Sequence, residues 1–230
     1  MKRLEGKTAW VTGAGTGIGR AIAIAFAAEG AKVALTGRRE APLKETAEMM
    51  QGQAQIVPAD LTDPAQVERA ARAVGQGIGG PDILVNNAGV NLPRRYLHQL
   101  TPDAIKSLVD GNLTAPFYTS VAVLPGMKAR GGGLIIQIAS MAGKGVSFPS
   151  GPGSIAAKHG FVALSQAINQ ENGIHNIRSC CICPGEVATP ILKNRPEPVP
   201  QEDIERLLQP EDLAAMAVFV ATMPAHVNIT

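Results

Sequence analysis

The chain alternates short apolar runs with longer segments in which apolar residues recur every three or four positions. Short runs bounded by turn residues are typical of buried strands, and the longer period is typical of amphipathic helices. Six runs fit the strand pattern, at residues 8–11, 32–36, 55–58, 82–85, 134–138 and 177–182. Strands that alternate with helices from end to end predict an α/β fold, a doubly wound parallel sheet of about seven strands with helices on both faces.

Proline and capping residues mark where the predicted helices begin and where they bend. Thr62 or Asp63 is expected to cap a helix that starts at Pro64, and Pro116 and Pro125 are expected to kink or interrupt a later one. The predicted helices cover residues 20–29, 41–51, a segment from 64, 101–130, 154–170 and a segment from 210.

Loops separate these elements without dividing the chain. Residues 75–81 are rich in glycine, and residues 186–208 form an excursion long enough to be a lid. The sequence contains no internal repeat, low-complexity tract or linker, so residues 1–230 are predicted to form one domain.

Composition and charge indicate what the core consists of and limit the partners and the cellular location expected for this domain. Hydrophobic residues make up 45% of the chain and aromatic residues 3%, so the core is expected to consist mainly of Ala, Val, Ile and Leu. A net charge of +2 favours neither nucleic acid nor a membrane surface as a partner. No signal-peptide hydrophobic segment follows residues 1–7, and no apolar run is long enough to cross a bilayer. We therefore predict a cytoplasmic protein.

Three cysteines, Cys180, Cys181 and Cys183, fall in one predicted strand. A structural zinc site needs four ligands, and His175 is the only other candidate nearby. We therefore predict reduced thiols and no metal site.

A glycine-rich turn links the first strand to the first helix and reads Thr12-Gly13-Ala14-Gly15-Thr16-Gly17-Ile18-Gly19. A strand, a glycine turn and a helix together present backbone N–H groups and a helix N-terminus to a phosphate. Gly13 permits a tight turn, Gly17 allows a pyrophosphate to approach the backbone, and Gly19 lets the helix lie close to the sheet. The alternative is an ordinary strand-to-helix turn, because the spacing differs from the commoner dinucleotide fingerprint.

Three further motifs accompany this turn. They are Asn86-Asn87-Ala88-Gly89, the pair Asn112 and Ser140, and Pro184-Gly185-Glu186-Val187-Ala188-Thr189-Pro190. Most of them follow predicted strands directly, and the carboxyl edge of an open α/β sheet is where ligands bind. With the glycine turn, and in this order, the motifs resemble the short-chain dehydrogenase/reductase family over nearly the whole chain. The resemblance implies a Rossmann fold, a nicotinamide cofactor, and hydride transfer between an alcohol and a carbonyl group.

The resemblance also implies a set of cofactor-binding residues. Asp60 and Leu61 would contact the adenine, residues 87–89 would line the adenine-ribose side, and residues 184–189 would hold the nicotinamide amide and a nearby phosphate. The full set is Thr12, Gly13, Gly15, Thr16, Gly17, Ile18, Gly19, Arg38, Arg39, Asp60, Leu61, Asn87, Ala88, Gly89, Lys158, Pro184, Gly185, Val187 and Thr189. The alternative for the asparagines is a polar strand end that satisfies loop backbone groups.

Charge after the second strand bears on the choice of cofactor. NAD sites usually place a carboxylate there for the ribose 2′-hydroxyl, whereas a 2′-phosphate prefers an arginine. Here Arg38 and Arg39 follow the strand, and the first acidic residue is Glu40. We therefore favour NADP(H) over NAD(H), with Arg38 as the main ligand. The alternative is a solvated pair of surface arginines.

One residue departs from the family's pattern. The family's reactive group is a tyrosine four residues before a lysine on one helix, and the matching lysine here is Lys158, preceded at that distance by Ser154. The only tyrosines are Tyr96 and Tyr118, and neither has a lysine four residues later. An aliphatic hydroxyl is a far weaker acid than a phenol, and the shorter side chain would not reach a substrate placed for tyrosine.

The resemblance gives Ser140, Ser154, Lys158 and Asn112 as the catalytic set. Ser140 would hydrogen-bond the substrate oxygen, Lys158 would hold the nicotinamide ribose, and Asn112 would anchor a proton-relay water. We favour an oxidoreductase whose turnover is impaired at Ser154. The alternative is a catalytically silent NADP(H)-binding protein with a structural or regulatory role. Ser154 would also serve as a helix N-cap after Gly153.

The predicted substrate is a small carbonyl or alcohol compound. Arg94, Arg95, Lys193 and Arg195 would favour an anionic substrate if they faced the cleft, although we favour a solvated surface for them. His159 projects away from its neighbour Lys158 and is interpreted as a packing or interface residue. In proteins that the chain resembles, the two long helices pair subunits, which implies a homo-oligomer, a dimer or tetramer.

Overall fold

The structure is a computed structural model that describes residues 2–50, 54–146 and 148–230. Its strands are β1 (Thr8–Thr12), β2 (Lys32–Thr36), β3 (Ala54–Ile56), β4 (Ile83–Asn86), β5 (Gly133–Ile138) and β6 (Ile177–Ile182). All pairings are parallel, in the order β3-β2-β1-β4-β5-β6. The doubly wound parallel sheet is confirmed, and the expectation of about seven strands is wrong, since the described residues contain six.

The segment that follows the last helix takes no place in the sheet. Residues 223–230 contain no strand. Arg178 of the edge strand β6 instead donates hydrogen bonds to the carbonyl oxygens of Met223, Pro224 and Val227. A guanidinium thus holds this segment beside the sheet without a strand ladder.

The helices are α1 (Gly17–Ala28), α2 (Glu40–Met49), α3 (Pro64–Ile78), α4 (Pro102–Val109), α5 (Ala115–Ala129), α6 (Pro152–Asn172), α7 (Gln201–Ile204) and α8 (Pro210–Thr222). The loop expected at 75–81 begins only at Gly79. Val74 is fully buried and Ile78 packs against the core, which keeps α3 helical until Gly79 ends it with φ +86°. Residue 51 of the second predicted helix lies outside the described residues.

The long helix predicted over 101–130 is interrupted by a π-helical turn, Asp110–Thr114. Pro116 explains the position, because it has no N–H to offer the carbonyl of Asn112, four residues earlier. The expected interruption at Pro116 is therefore confirmed. At Pro125 there is no interruption, since α5 continues through that residue, and the alternative of a kink there stays a prediction. The carbonyl deprived of a donor there belongs to Val121, which is 62% exposed, so water can replace the missing donor.

Apolar side chains cover both faces of the sheet. Val11 belongs to the cluster that packs with Phe26 of α1, whereas its neighbour Trp10 belongs to the cluster that packs with Val74 of α3 and Phe161 of α6. Strand order reverses between β1 and β4, which opens a crevice at the carboxyl edge. No helix among the described residues is both long enough and apolar enough to span a membrane.

Candidate active site

A cavity of about 620 Å³ opens at the carboxyl ends of the central strands. Segments from most of the chain line it: the turn after β1, the residues after β2, β3 and β4, the π turn, the residues after β5, the first turns of α6, and the lid. Of the predicted site residues, only Thr12 and Gly19 do not line this cavity. The topology therefore brings the separated motifs into one place.

The glycine turn adopts a backbone conformation that favours glycine. Gly13 and Gly17 have φ angles of +63° and +54°. A Cβ atom on Gly13 would lie 2.8 Å from Asn87 Nδ2 and 2.9 Å from the Cα atom of Ala88. The N-cap residue Thr16 makes no side-chain capping hydrogen bond. The first N–H groups of α1 thus lack a side-chain acceptor where the helix meets the cavity, which suits a phosphate.

Thr12 and Gly19 support this turn from behind instead of lining the cavity. Thr12 Oγ1 is buried, donates to the carbonyl of Val85, and accepts hydrogen bonds from the backbone N–H groups of Asn87 and Ala88 at 3.0 and 3.1 Å. A Cβ atom on Gly19 would collide with the carbonyl oxygen of Gly13 and with Asn87 Nδ2. Both residues pack where the turn after β1 meets the residues after β4, and their direct contact with the cofactor stays a prediction.

The Asn87 side chain braces the same turn. Its Nδ2 atom donates to the carbonyl oxygens of Thr12 and Gly13 at 3.0 and 3.2 Å. The neighbouring Asn86 is buried below the edge, where its Nδ2 atom donates to Gln137 Oε1 at 2.9 Å and its Oδ1 atom accepts from Thr119. Asn86 therefore links two strands and α5, and only Asn87 reaches the cavity.

Arg38 and Arg39 line the cavity beside the glycine turn and are exposed. Neither forms an ion pair with a described carboxylate, and Glu40 pairs instead with Lys44 at 2.9 Å. On the next strand end, the Asp60 carboxylate accepts hydrogen bonds from the backbone N–H and hydroxyl of Thr62. The cavity wall after β2 therefore presents guanidinium groups without a competing carboxylate.

Lys158 lies deep in the opposite wall. Its Nζ atom donates to the carbonyl of Ile138 at 3.0 Å and lies 4.9 Å from the ring centre of Phe161. Burial lowers the pKa of Lys158 to about 8, because the charged ammonium loses its hydration. Ser140, two residues beyond the end of β5, accepts a hydrogen bond from the N–H of Ala142 through its Oγ atom at 3.1 Å. In this bond the Oγ atom is the acceptor, so the hydroxyl proton is not used by it.

Ser154 lines the cavity within the first turn of α6 and is 8% exposed. The interpretation of Ser154 as a helix N-cap is wrong: α6 begins at Pro152, and Gly151 is the N-cap with φ +76°. Prolines favour the first helical position, which moves the start of the helix two residues upstream. Tyr96 and Tyr118 do not line the cavity, so no tyrosine from elsewhere in the chain takes this place.

Asn112 sits in the π turn with its side-chain amide fully engaged. Its Oδ1 atom accepts from the N–H of Val90, and its Nδ2 atom donates to the carbonyls of Val90 and Leu108. The amide thus holds the loop after β4 against α4. The backbone carbonyl of Asn112 has no α-helical donor, because Pro116 has no N–H group.

The thiols of Cys181 and Cys183 lie close to Lys158, with their Sγ atoms 3.9 Å apart. The hydrogen bond between these two thiols, in which either sulfur can be the donor, lowers the pKa of Cys183 and raises that of Cys181. All three cysteines are free. Among the described residues, no three His, Cys, Asp or Glu side chains are grouped so that they could hold a metal ion.

The structure separates the four basic residues that the sequence treated alike. Arg95 and Arg195 line the cavity, whereas Arg94 and Lys193 do not. Arg195 pairs with Glu186 at 2.6 Å, and Arg95 is buried. Nothing local in the sequence distinguishes Arg94 from Arg95. Only the folding of the lid over the loop after β4 decides which of the two is enclosed.

Comparisons with known proteins agree with this geometry. Residues 7–199 match the family model described as short chain dehydrogenase. The D-beta-hydroxybutyrate dehydrogenase of Cupriavidus necator is 34% identical over 243 residues, which cover 97% of this chain and 93% of that protein.

Solved structures give the same picture. That of 3-ketoacyl-(acyl-carrier-protein) reductase from Brucella melitensis, complexed with NADH, superposes with a TM-score of 0.90 and 30% identity, covering 98% of this chain and 95% of that one. A metagenomic short-chain oxidoreductase in complex with NADP gives a TM-score of 0.86 and 31% identity, covering 99% and 96%. From the family match, the full-length relatives and the shared fold, we conclude that the chain belongs to the short chain dehydrogenase family of oxidoreductases.

Proposed function

We propose that this protein binds NADP(H) and transfers a hydride between the nicotinamide and a small carbonyl or alcohol compound, at a rate limited by the serine at position 154. The observation that carries this proposal is the shared cavity. The glycine turn with its uncapped helix start lines the same space as Ser140, Ser154 and Lys158. A binding site for a dinucleotide and a set of proton-handling groups thus adjoin each other.

The residues present fit a nicotinamide dinucleotide. The left-handed Gly13 and Gly17 leave the backbone at the start of α1 bare, as a pyrophosphate requires. Relatives with this fold were solved with NADH and with NADP, so a dinucleotide is common to both. The unpaired, cavity-lining Arg38 and Arg39 favour the 2′-phosphate of NADP(H). When bound, the nicotinamide ring supplies or accepts the hydride.

The side chains of the opposite wall have distinct proposed roles. Ser140 donates a hydrogen bond to the substrate oxygen, since its Oγ atom already accepts from Ala142 and keeps its own proton free. Lys158 binds the cofactor ribose, and its lowered pKa of about 8 suits proton exchange near neutral pH. The backbone carbonyl of Asn112 holds a water that connects this lysine with solvent.

Ser154 is the residue that limits the rate in this proposed arrangement. A serine hydroxyl neither ionises near neutral pH nor spans the distance that a phenol would span from the same backbone position. Loss of a positioned general acid reduces rates by about 10²- to 10⁴-fold. Residual turnover would rely on a water that fills the space in front of Ser154.

A second candidate function follows from the same residue. Since no tyrosine lines the cavity, the protein would also suit a catalytically silent role, in which bound NADP(H) stabilises a structural or regulatory form. The exposed apolar side chains of Phe117 and Val121 on α5 support a homo-oligomer, a dimer or tetramer, in either case.

The test compares the natural chain with Ser154→Tyr and Ser154→Phe, following NADPH oxidation over a panel of aldehydes and ketones. Both substitutions fill the same space, but only tyrosine adds the phenolic hydroxyl. We expect Ser154→Tyr to turn over about 10²- to 10⁴-fold faster than the other two, with equal NADPH affinity for all three. Equal rates for tyrosine and phenylalanine would refute the assigned role of position 154, and silence of all three with NADPH bound would favour the second candidate.

A further inference from the structure

A buried arginine lies at the junction of three loops beside the reaction site. Arg95 is 2% exposed and lines the cavity. Its guanidinium donates to the carbonyl oxygens of Leu92 at 2.6 Å, of Pro149 at 3.1 Å, and of Asn194. These acceptors belong to the loop after β4, the turn before α6 and the lid. Arg95 therefore connects the three segments that enclose this part of the cavity.

No carboxylate accompanies this buried cation. Among the described residues, Arg95 forms no ion pair, and its charged neighbour Arg195 has the same sign and is itself paired with Glu186. Burial, and then repulsion by Arg195, lower the pKa of Arg95. An unpaired charge at low exposure is unfavourable, so an anion placed beside it gains more than it would in water.

The guanidinium also retains hydrogen-bonding capacity. Three of its five N–H groups donate to these carbonyls, one each from Nε, Nη1 and Nη2, so each terminal nitrogen carries one further N–H group. Two N–H groups of a planar guanidinium match the two oxygens of a carboxylate.

A second source of positive potential adjoins Arg95. The N-cap of α6, Gly151, has no capping side chain, and the first turn holds no acidic residue. A Cβ atom on Gly151 would lie 3.0 Å from both Cβ and Cγ of Arg95, so the start of this 21-residue helix packs on the arginine stem. The helix dipole adds to the charge of the guanidinium at this point.

Positively charged side chains also outnumber carboxylates along this part of the cavity. The segments after β4, β5 and β6, the start of α6 and the lid line the cavity with the cations Arg95, Lys158 and Arg195 and, among the described residues, with one carboxylate, Glu186. Because Glu186 is taken up by Arg195, the remaining two cations have no partner of opposite charge. This part of the cavity thus selects for an anionic group on whatever enters it.

We propose that Arg95 is a specificity-determining residue that binds a carboxylate of the substrate, so that the preferred carbonyl compounds are oxo acids and the preferred alcohols are hydroxy acids. The inference rests on the proposed function, since the carboxylate enters the cavity in which the carbonyl is reduced. The three backbone contacts hold the guanidinium in place before the substrate arrives. Substrate selection and closure of the lid over it are therefore linked by one side chain.

The test measures ligand binding, so it does not depend on turnover. The natural chain is first titrated with NADPH by fluorescence, which establishes the cofactor complex independently. The complex is then titrated with oxo carboxylates of four to eight carbons, each paired with the neutral diketone in which a methyl ketone replaces the carboxylate, such as 4-oxopentanoate against 2,5-hexanedione. We expect the carboxylates to bind about 10- to 100-fold more tightly than their neutral partners.

Variants assign this preference to one side chain. Arg95→Gln should remove the preference, and Arg95→Lys should keep part of it, since the lysine retains the charge without the planar fork. Arg94→Gln, which changes an exposed neighbour outside the cavity, serves as the matched control and should retain the full preference. A merely structural role of Arg95 would lower the affinity for both ligands of a pair equally.

The outcomes separate this inference from the proposed function. If NADPH binds but carboxylates and diketones bind equally, or neither binds, the role of Arg95 is refuted and the cofactor assignment stands. If the preference persists in Arg95→Gln and vanishes in Arg195→Gln, the carboxylate site belongs to the lid and the assignment to Arg95 is overturned. If NADPH itself does not bind, the proposed function is refuted, and the inference about Arg95, which rests on it, is refuted as well.

Discussion

The two sides of the cavity use different physical means. The side formed by the turn after β1 and the residues after β2, here called the phosphate side, depends on backbone conformation and on the absence of side chains at Gly13 and Gly17. The side formed by the ends of β5 and β6 and by α6, here called the reaction side, depends on the side chains Ser140, Ser154 and Lys158. On the proposed function, cofactor binding and turnover would depend on different residues, so a single substitution on the reaction side is expected to reduce turnover without loss of binding.

The two sides also differ in how they are stabilised. Behind the phosphate side, Thr12 and Asn87 satisfy backbone groups with uncharged hydrogen bonds. The reaction side instead contains the buried cation Lys158, and the adjoining loop after β4 contributes the buried Arg95. Both bond to carbonyl oxygens, and neither forms an ion pair with a carboxylate of the described residues. Buried charge without a counter-ion is unfavourable for folding, so the reaction side stores free energy that a bound anion or dinucleotide can recover.

Gly13→Ala should disrupt the backbone of the phosphate side and cause the largest loss of NADPH affinity among these variants. The added Cβ would contact Asn87 Nδ2 and the Cα atom of Ala88 at 2.8 and 2.9 Å, in a backbone conformation with φ +63°. We expect NADPH affinity to fall by about 100-fold or more, and the free energy of unfolding to fall by about 1–3 kcal/mol. Fluorescence titration and urea unfolding measure the two effects.

The matched control for that substitution is Gly75→Ala. Gly75 lies within α3, and a Cβ atom there would meet nothing within 4 Å. Alanine in a helix is favoured over glycine by about 0.5–1 kcal/mol, so this variant should be slightly more stable and bind NADPH normally. Equal NADPH binding by both variants would contradict the assignment of the glycine turn to phosphate.

Lys158→Met probes the free energy stored on the reaction side. The pKa of Lys158 is about 8 in the folded protein against an ordinary value of 10.5, so between these values the unfolded chain binds more protons and stability rises with pH. Below pH 8 Lys158 stays charged in the folded protein, and burial of that charge lowers the free energy of unfolding by about 3 kcal/mol. The methionine variant should therefore be more stable than the natural chain at pH 7. Its free energy of unfolding should also lack the increase that Lys158 causes between pH 8 and 10.5.

Urea unfolding at pH 7, 9 and 10 measures this difference, with the exposed Lys144→Met as control. The difference between the natural chain and the variant isolates the contribution of this one side chain. A parallel pH dependence in the natural chain and in Lys158→Met would show that the buried ammonium carries no such penalty.

Arg38→Gln should give the smallest effect and sharpen the comparison within the phosphate side. Arg38 is exposed and lines the cavity, so its bond to a 2′-phosphate is partly screened by water. We expect NADPH affinity to fall about 10-fold while NADH affinity is unchanged. Arg39→Gln should change either affinity less, and an equal loss for both cofactors in Arg38→Gln would argue against a 2′-phosphate ligand.

Local patterns predicted most of the architecture because they depend on near neighbours. The bounds of β2 and β6 agree with the apolar runs, and Asp63 caps α3 as expected. The predictions of a seventh strand and of a loop over residues 75–81 were wrong for a different reason. Whether an apolar stretch joins a sheet, and whether a glycine-rich stretch stays helical, depend on contacts such as those of Val74 and Arg178 with distant residues.

By itself, the sequence determined the doubly wound fold, the glycine turn, the order of the motifs and the serine four residues before Lys158, because each of these is a property of residues close together in the chain. Only the tertiary structure decided that Thr12 and Gly19 support the turn without facing the cavity, that Ser154 lies inside α6, and that Arg95 is enclosed. Those outcomes depend on which segments, far apart in the chain, pack against one another, and burial of a charge or a hydroxyl is a property of that packing.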